Sequence, residues 1–234
     1  MIDPIIHDPP ISVVDLVGLK KQCAEVSVQN EFEVNRTEFT HEGYPYDAFV
    51  FYSRFSGTID GDEYSFRKCY ARGCDRNLCP HVSQAVLIAN RYLQRDYAEL
   101  KKAGIQVEEK LFTLEGMLVR YDRKRDEFVS PLILDDYIRM AKEGASVSTE
   151  ISLEYLPAVE YFEHREEKRV FFTANFRVRY LEKTHICQRC VACFDMKEEA
   201  VEKGPAMELA NSRLAAIYEE LDAANIRYEP VYFS

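Results

Sequence analysis

Hydrophobic residues recur at helical spacing in a long stretch near the end of the chain. Met207, Ala210, Leu214, Ile217 and Leu221 are separated by three or four positions, which is the spacing of residues on one helix face. The pattern therefore predicts an amphipathic helix here.

Two shorter helices are predicted at 12–22 and 134–144, one at the start of each half of the chain. In the second of these, Asp135 is the predicted N-cap and Gly144 the predicted stop signal, because short polar side chains favour helix starts and glycine favours helix ends.

Strand-like patterns lie between the predicted helices. Segments 47–55 and 168–181 are rich in aromatic and β-branched residues, which favours β-strands. A final short strand is predicted in each half of the chain, at 104–112 and 225–233. The predicted fold class is thus α+β.

The chain also resembles itself at one fixed offset. Residues 85–108 and 206–229 are identical at ten of 24 positions without a gap, 121 residues apart, whereas about one or two identities are expected by chance. The same offset aligns 10–113 with 131–234, with 23 identities in 104 positions. We therefore predict a tandem duplication of an α-β-β-β-α-β unit of about 104 residues, packed about a pseudo-two-fold axis, with 114–130 as the connector.

Composition and charge restrict the classes of partner. The net charge is -10 and the isoelectric point about 5.1, which disfavours a nucleic-acid backbone or an anionic membrane as the main partner. No apolar run approaches the roughly 20 residues that span a bilayer, and the start of the chain has no secretion-signal pattern. We predict a cytoplasmic protein with reduced thiols and a protein partner, so that disulfides are disfavoured.

Six of the seven cysteines form two clusters. The first contains Cys69, Cys74, Cys79 and His81, which supply the four sulfur and nitrogen ligands that zinc prefers. Its end resembles a SWIM-type zinc finger, in which a C-x-H pair opens a helix after a hairpin. The resemblance covers Cys74, Cys79 and His81 and implies a binding module; the four-residue separation of Cys69 from Cys74 departs from it.

The second cluster is a C-x2-C-x2-C run formed by Cys187, Cys190 and Cys193. It resembles the first three ligands of a bacterial ferredoxin-type site, which implies an iron–sulfur cluster. The fourth cysteine of that motif, followed by proline, is missing here. Zinc with His185 as a fourth ligand fits the same residues nearly as well, so both metals stay open.

The offset of 121 places Cys69 on Cys190, so each predicted unit has a cysteine cluster in the same segment. Closely spaced thiolates favour metal ligation over disulfides or inert packing. Cys23, at the end of the first predicted helix, is outside both clusters, and we predict that it is a packed thiol.

No phosphate-binding glycine loop or hydrolase motif is found in the sequence, so a catalytic pocket is not expected. The favoured function is an iron–sulfur protein in electron transfer or redox sensing, as a subunit of a larger assembly. A zinc-stapled protein-interaction module is the alternative, and a metalloenzyme with an open metal site is the third hypothesis. If the two clusters face each other across the pseudo-two-fold axis, they form one site or two neighbouring ones.

Overall fold

The structure of the chain is a computed structural model. The structure describes residues 12–74, 81–113, 132–162, 165–195 and 203–234. The predicted connector at 114–130 and the candidate ligand Cys79 lie outside these ranges.

The first half of the chain consists of a short helix, three long strands and a long helix. These are α1 (Val13–Lys21), β1 (Gln29–His41), β2 (Tyr44–Ile59), β3 (Asp62–Gly73) and α2 (Val82–Lys102).

The second half has the same element order. It consists of α3 (Leu134–Lys142), β4 (Ser148–Phe162), β5 (Arg165–Tyr180), β6 (Lys183–Asp195) and α4 (Lys203–Ala223). The expected mixture of helices and strands is thereby confirmed, and the predicted strand segments 47–55 and 168–181 lie inside β2 and β5.

The six strands form one antiparallel sheet in the order β3-β2-β1-β4-β5-β6. The sheet curls so that its two edge strands, β3 and β6, contact each other and nearly close a barrel. Helices α2 and α4 pack on these edge strands from outside. We call the line along which β3 meets β6 the seam.

The two halves meet in the middle of the sheet through a short β1–β4 ladder. Glu38 pairs with Val159, and these two residues are 121 positions apart. On either side, Thr37 pairs with Glu160 and Phe39 with Ala158. The offset of 121 relates Thr37 to Ala158 and Phe39 to Glu160, so it converts one of these pairs into the other. The ladder is therefore centred on a pair of positions that the offset treats as equivalent.

Alternation along the strands divides the core into two layers, because successive side chains of a strand point to opposite faces. Large aromatic side chains on the outer face, such as Phe51 and Phe176, pack under the helices. On the inner face, Phe39, Tyr52 and Phe171 fill the barrel beside the cysteines. Each of these five rings is at most 1% exposed.

Several local irregularities recur at the same offset. An extra residue interrupts the β2–β3 ladder after Phe51 and the β5–β6 ladder after Phe172. Left-handed backbone occurs at equivalent turns, as at Asp60 (φ 51°) and Leu181 (φ 47°). These positions carry different residues in the two halves, so the shared conformation is imposed by the fold rather than by residue type.

The predicted final strand of each unit is wrong. Residues 105–113 have no strand pairing, and the corresponding stretch after α4 makes one isolated bridge, between Ser148 and Arg227. Instead, the Asn90 side chain donates to the carbonyl of Phe112 at 3.0 Å and accepts from its N–H at 2.8 Å. Asn211 makes the same two bonds to Phe233, at 3.0 and 2.9 Å. Side chains of the helix therefore satisfy this backbone in place of a neighbouring strand.

Two predictions about helix ends also differ from the structure. The N-cap of α3 is Ile133 rather than Asp135, and the carboxylate of Asp136 accepts a hydrogen bond from the Ile133 N–H at 2.8 Å. Gly144 has φ 99° just after α3 and is confirmed as the stop signal. Cys23 is exposed, so its prediction as a packed thiol is wrong.

Within the described residues, no helix combines the length and apolar character needed to cross a membrane.

Candidate functional site

The cysteine clusters of the two halves meet at the seam. Cys69 on β3 and Cys190 on β6 line the same cleft and pack in the same inner cluster, and the Cys190 thiol donates to the carbonyl oxygen of Ala192 at 3.5 Å. Cys69 is 9% exposed and Cys190 is half-buried. Cys74 and Cys193 pack in the same inner cluster. The offset that aligns Cys69 with Cys190 in the sequence thus corresponds to a direct contact in space.

A β-bulge lies next to each cysteine of the pair. Tyr70 is the extra residue beside Cys69, and Val191 is the extra residue beside Cys190. A bulge bends its strand and changes the facing of the residues that follow it. Because of this change, Cys190 and Cys193 both face the interior, although a regular strand places residues three apart on opposite faces.

The C-x2-C-x2-C run is divided between the two layers of the core. Cys187 precedes the bulge and packs against α3, with its sulfur 3.8 Å from the carbonyl oxygen of Leu132. Cys190 and Cys193 lie on the inner face. The structure therefore brings Cys190 and Cys193 to Cys69 but does not bring Cys187 to them.

The remaining members of the first cluster are only partly described. Cys74 is disulfide-bonded, so the expectation that disulfides are disfavoured is not met at this position. His81 is the N-cap residue of α2, and its Nδ1 lies 2.9 Å from the hydroxyl oxygen of Ser83. In the second cluster, His185 packs beside the ring of Tyr137, at 5.7 Å between centroids.

The two sulfurs of the pair have pKa values displaced in opposite directions. The hydrogen bond to Cys69 lowers the pKa of Cys190, and positive charge on Arg72, Arg213 and Lys68 lowers it further. The hydrogen bond and burial raise the pKa of Cys69 well above its usual value. These directions make Cys190 the more acidic sulfur of the pair, and in the structure its thiol donates to the carbonyl oxygen of Ala192 at 3.5 Å. By contrast, burial raises the pKa of Cys187 to about 12.

A small cleft opens beside the thiol pair. Its polar lining comes from Arg72, Thr173 and Gln188, in addition to Cys69 and Cys190. It encloses about 10 Å³, which is roughly the space that one water-sized sphere occupies. The cleft therefore admits a single small species beside the sulfurs.

Arg72 is the charged group of this cleft, and its side chain is 6% exposed. Its Nε donates to Gln188 at 3.0 Å and its Nη2 to Glu154 at 3.2 Å. Among the described residues, no hydrogen-bond partner is found for its buried Nη1. Arg72 thus combines a position in the cleft wall with one buried nitrogen that has no acceptor in the described part of the chain.

A second polar group inside the barrel was not recognised from the sequence. The carboxylate of Glu160, which is fully buried, contacts Arg169 and Arg67, the latter at 3.1 Å. Arg67 also pairs with Glu33 and lies over the ring of Tyr52, 3.9 Å from its centroid. The alternation of charged and apolar residues along β1, β3 and β5 was the available signal, but it gives no indication that the charged face is enclosed.

Basic side chains also flank the seam from outside. Lys68 is paired with Asp96 of α2 at 2.5 Å, and burial lowers its pKa. Arg213 of α4 donates to the carbonyl of Val191 at 3.2 Å. The seam therefore lies between positive groups on both of its faces, although the whole chain is acidic.

Within the ranges that the structure describes, no group of three or more His, Cys, Asp or Glu side chains is arranged to hold a metal ion. At the seam, the two neighbouring thiols are Cys69 and Cys190, and Cys74 and Cys193 lie in the cluster around them.

The chain matches no protein-family model, no curated protein and no solved structure at significant similarity.

Proposed function

We propose that this chain is a redox-sensing metal-centre protein whose site is at the seam. In this proposal Cys69, Cys190 and Cys193 are thiolate ligands, and Cys74 joins them once its disulfide is reduced. The contact between Cys69 and Cys190 in an enclosed cluster of four cysteines carries the proposal. Thiolates that converge from different strands bind metal ions readily.

The size of the cleft favours one ion over a polynuclear cluster. About 10 Å³ is available beside the sulfurs, whereas a cubane of four irons and four sulfides is several times larger than a single ion. Zinc is compatible with a compact site of sulfur ligands. We therefore favour zinc, and Cys187 takes no part because it packs in the outer layer.

An iron–sulfur cluster is the second candidate. The observation that favours it is the presence of Cys69, Cys74, Cys190 and Cys193 in one apolar inner layer, since four cysteines are the usual ligand set of such clusters. This candidate requires the seam to open, which moves β3 away from β6.

We further propose that the site arose by tandem duplication, with its pseudo-two-fold axis passing through the seam and through the β1–β4 ladder. Three observations support this: the equal order of elements in both halves, the ladder centred on Glu38 and Val159, and the recurrence of the bulges at one offset. A single ancestral cysteine then supplies both members of the pair, as in an isologous dimer interface.

The biological partner is proposed to be another protein in the cytoplasm. Large apolar side chains at the surface support this proposal: Val14, Leu181 and Ile186 are 78, 72 and 66% exposed. The acidic net charge of -10 disfavours nucleic acid.

Metal analysis of matched serine variants tests the proposal. The full chain is purified anaerobically with a reductant, and its metal content and visible spectrum are measured. We expect about one zinc per chain and no colour, with loss of the metal in Cys69→Ser and Cys190→Ser but not in Cys187→Ser.

The control variant separates the candidates. A brown protein that keeps its absorbance in Cys187→Ser but loses it in Cys69→Ser supports the iron–sulfur candidate at the seam. Loss of metal in Cys187→Ser alone places the centre on the C-x2-C-x2-C run and overturns the seam site. Protein without metal in every variant overturns the metal function.

A further inference from the structure

We propose that the seam thiols react with hydroperoxides, with Cys190 as the sulfur that is oxidised and Cys69 as the sulfur that resolves the product to a disulfide. This proposal deepens the redox-sensing role proposed above, but it requires only the two thiols and Arg72, not a bound metal.

The arrangement of the pair supports this chemistry. A thiol whose sulfur is oxidised to sulfenic acid forms a disulfide readily when a second thiol lies beside it. Cys69 and Cys190 line the same cleft and pack in the same inner cluster, and Cys190 is the more accessible of the two. Cys190 is therefore the sulfur that meets a reagent from the cleft first.

The cleft determines the class of oxidant. The space beside the sulfurs is about 10 Å³, close to that of one water molecule, so it favours the smallest hydroperoxide, hydrogen peroxide, over a bulky disulfide such as oxidised glutathione. The buried Nη1 of Arg72, for which no partner is found among the described residues, is available to donate a hydrogen bond to a peroxide oxygen. A charge-assisted bond of this kind strengthens as the leaving oxygen becomes negative.

The reaction has two steps. In the first, the Cys190 thiolate attacks one oxygen of hydrogen peroxide. The S–O bond forms, the O–O bond breaks, and the departing hydroxide takes up a proton to become water. In the second step, the Cys69 sulfur attacks the sulfenic sulfur. The S–S bond forms, the S–O bond breaks, and the hydroxyl leaves as a second water with the Cys69 proton. Two thiols are thereby oxidised by two electrons, and one peroxide is reduced to two waters.

The consequence of this reaction is a covalent closure of the barrel. Cys69 belongs to β3 and Cys190 to β6, and the sheet has no ladder between these two strands. A disulfide at this position joins the first and second halves of the chain across the seam and removes two thiolates from metal binding.

The test measures oxidation of the reduced full chain by one equivalent of hydrogen peroxide after removal of metal by a chelator. Peptide mass spectrometry under non-reducing conditions is expected to find the Cys69–Cys190 disulfide. In Cys69→Ser, a dimedone adduct is expected on Cys190. In Cys190→Ser, the fast phase of peroxide consumption is expected to disappear, and Cys187→Ser is expected to behave as the parent chain.

The role of Arg72 and the size selection are tested separately. Arg72→Met is expected to slow oxidation by at least about tenfold, with its circular dichroism spectrum unchanged. Oxidation of the parent by oxidised glutathione is expected to be slower than that by hydrogen peroxide at equal concentration.

Three outcomes overturn the proposal: dimedone labels exposed Cys23 in preference to Cys190, the disulfide joins a different pair, or Arg72→Met folds and reacts at the parental rate. Because metal content is not measured in this experiment, a protein that binds metal but is inert to peroxide refutes only this inference. A metal-free protein that forms the disulfide refutes only the metal centre.

Discussion

Replacement of Cys23 by glycine is expected to stabilise the protein, although it removes a side chain. Cys23 follows α1 with φ 72°, in the left-handed region, and is exposed. The equivalent position in the second half is Gly144, with φ 99°. A residue with a β-carbon is disfavoured in this region, whereas glycine is not.

The magnitude follows from two opposing effects. Left-handed backbone costs an L-residue about 1–2 kcal/mol, and glycine increases the conformational entropy of the unfolded chain by roughly 0.4–1 kcal/mol. Since the thiol is exposed, little packing is lost. The difference is a gain of about 1 kcal/mol in the free energy of unfolding, or roughly 2–4 °C in Tm for a chain of this size.

The measurement is equilibrium urea unfolding with a reductant, followed by circular dichroism. Cys23→Ala is the control, because it removes the sulfur but keeps the β-carbon, and its stability is expected to stay within about 0.5 kcal/mol of the parent. Gly144→Ala is expected to lose about 1 kcal/mol. The reasoning is refuted if Cys23→Gly is less stable than the parent, or if Cys23→Ala gains as much.

Four further predictions concern packing, the buried charge and the thiols. Glu160→Gln is expected to lower the free energy of unfolding by about 3 kcal/mol in thermal or urea unfolding, because it removes the fully buried charge between Arg67 and Arg169 and leaves them only the more exposed Glu33 and Glu167; a loss below about 1 kcal/mol contradicts this. Gly57→Ala is expected to destabilise the protein strongly, because the added methyl group overlaps neighbouring backbone. Gly18→Ala lies in the open middle of α1 and is expected to raise the free energy of unfolding by up to about 1 kcal/mol. Equal Tm values for the two variants contradict this reasoning. With iodoacetamide at neutral pH, Cys190 is expected to react before Cys187, whose pKa is raised to about 12. The raised pKa of Cys187 contributes to the free energy of unfolding fully below the unfolded thiol pKa of about 8.5. This contribution is expected to be lost as the pH rises from there toward 12. If Cys187→Ala loses stability with alkaline pH just as the parent does, the prediction is contradicted.

The sequence predicted the repeated order of helices and strands because periodicity depends on local residue pattern alone. It did not predict the curl that brings β3 to β6, since closure depends on accumulated strand twist. The final strands were predicted from β-branched and aromatic content at 104–112 and 225–233. The structure instead satisfies that backbone with the side chains of Asn90 and Asn211, a tertiary interaction that composition does not encode.

For the candidate site, spacing alone was a partial guide. The offset aligned Cys69 with Cys190, and these residues are in contact. The C-x2-C-x2-C spacing suggested that Cys187 belongs with Cys190, but spacing has this meaning only in a loop that wraps a cluster. In a strand, the face to which a side chain points depends on alternation and, here, on the bulge at Val191. The position of a one-residue bulge cannot be predicted from the hydrophobic pattern of the sequence.

The two halves of the seam carry the same residue at one pair of positions related by the offset and different residues at another pair. This difference affects the chemistry of the thiols. Cys69 and Cys190 are related by the offset of 121 residues, and so are Arg72 and Cys193. A strictly symmetric pair of thiols has no preferred nucleophile, because both sulfurs have the same surroundings. Here, one half contributes a cation and the other a third sulfur. Apart from the effects of burial and of the two sulfurs on each other, Cys193 raises the pKa of Cys69, Arg213 and Lys68 lower the pKa of Cys190, and Arg72 lowers both. Under the proposed duplication, two cysteines at equivalent positions have acquired different charged neighbours, and this difference accounts for part of the opposite displacement of their pKa values.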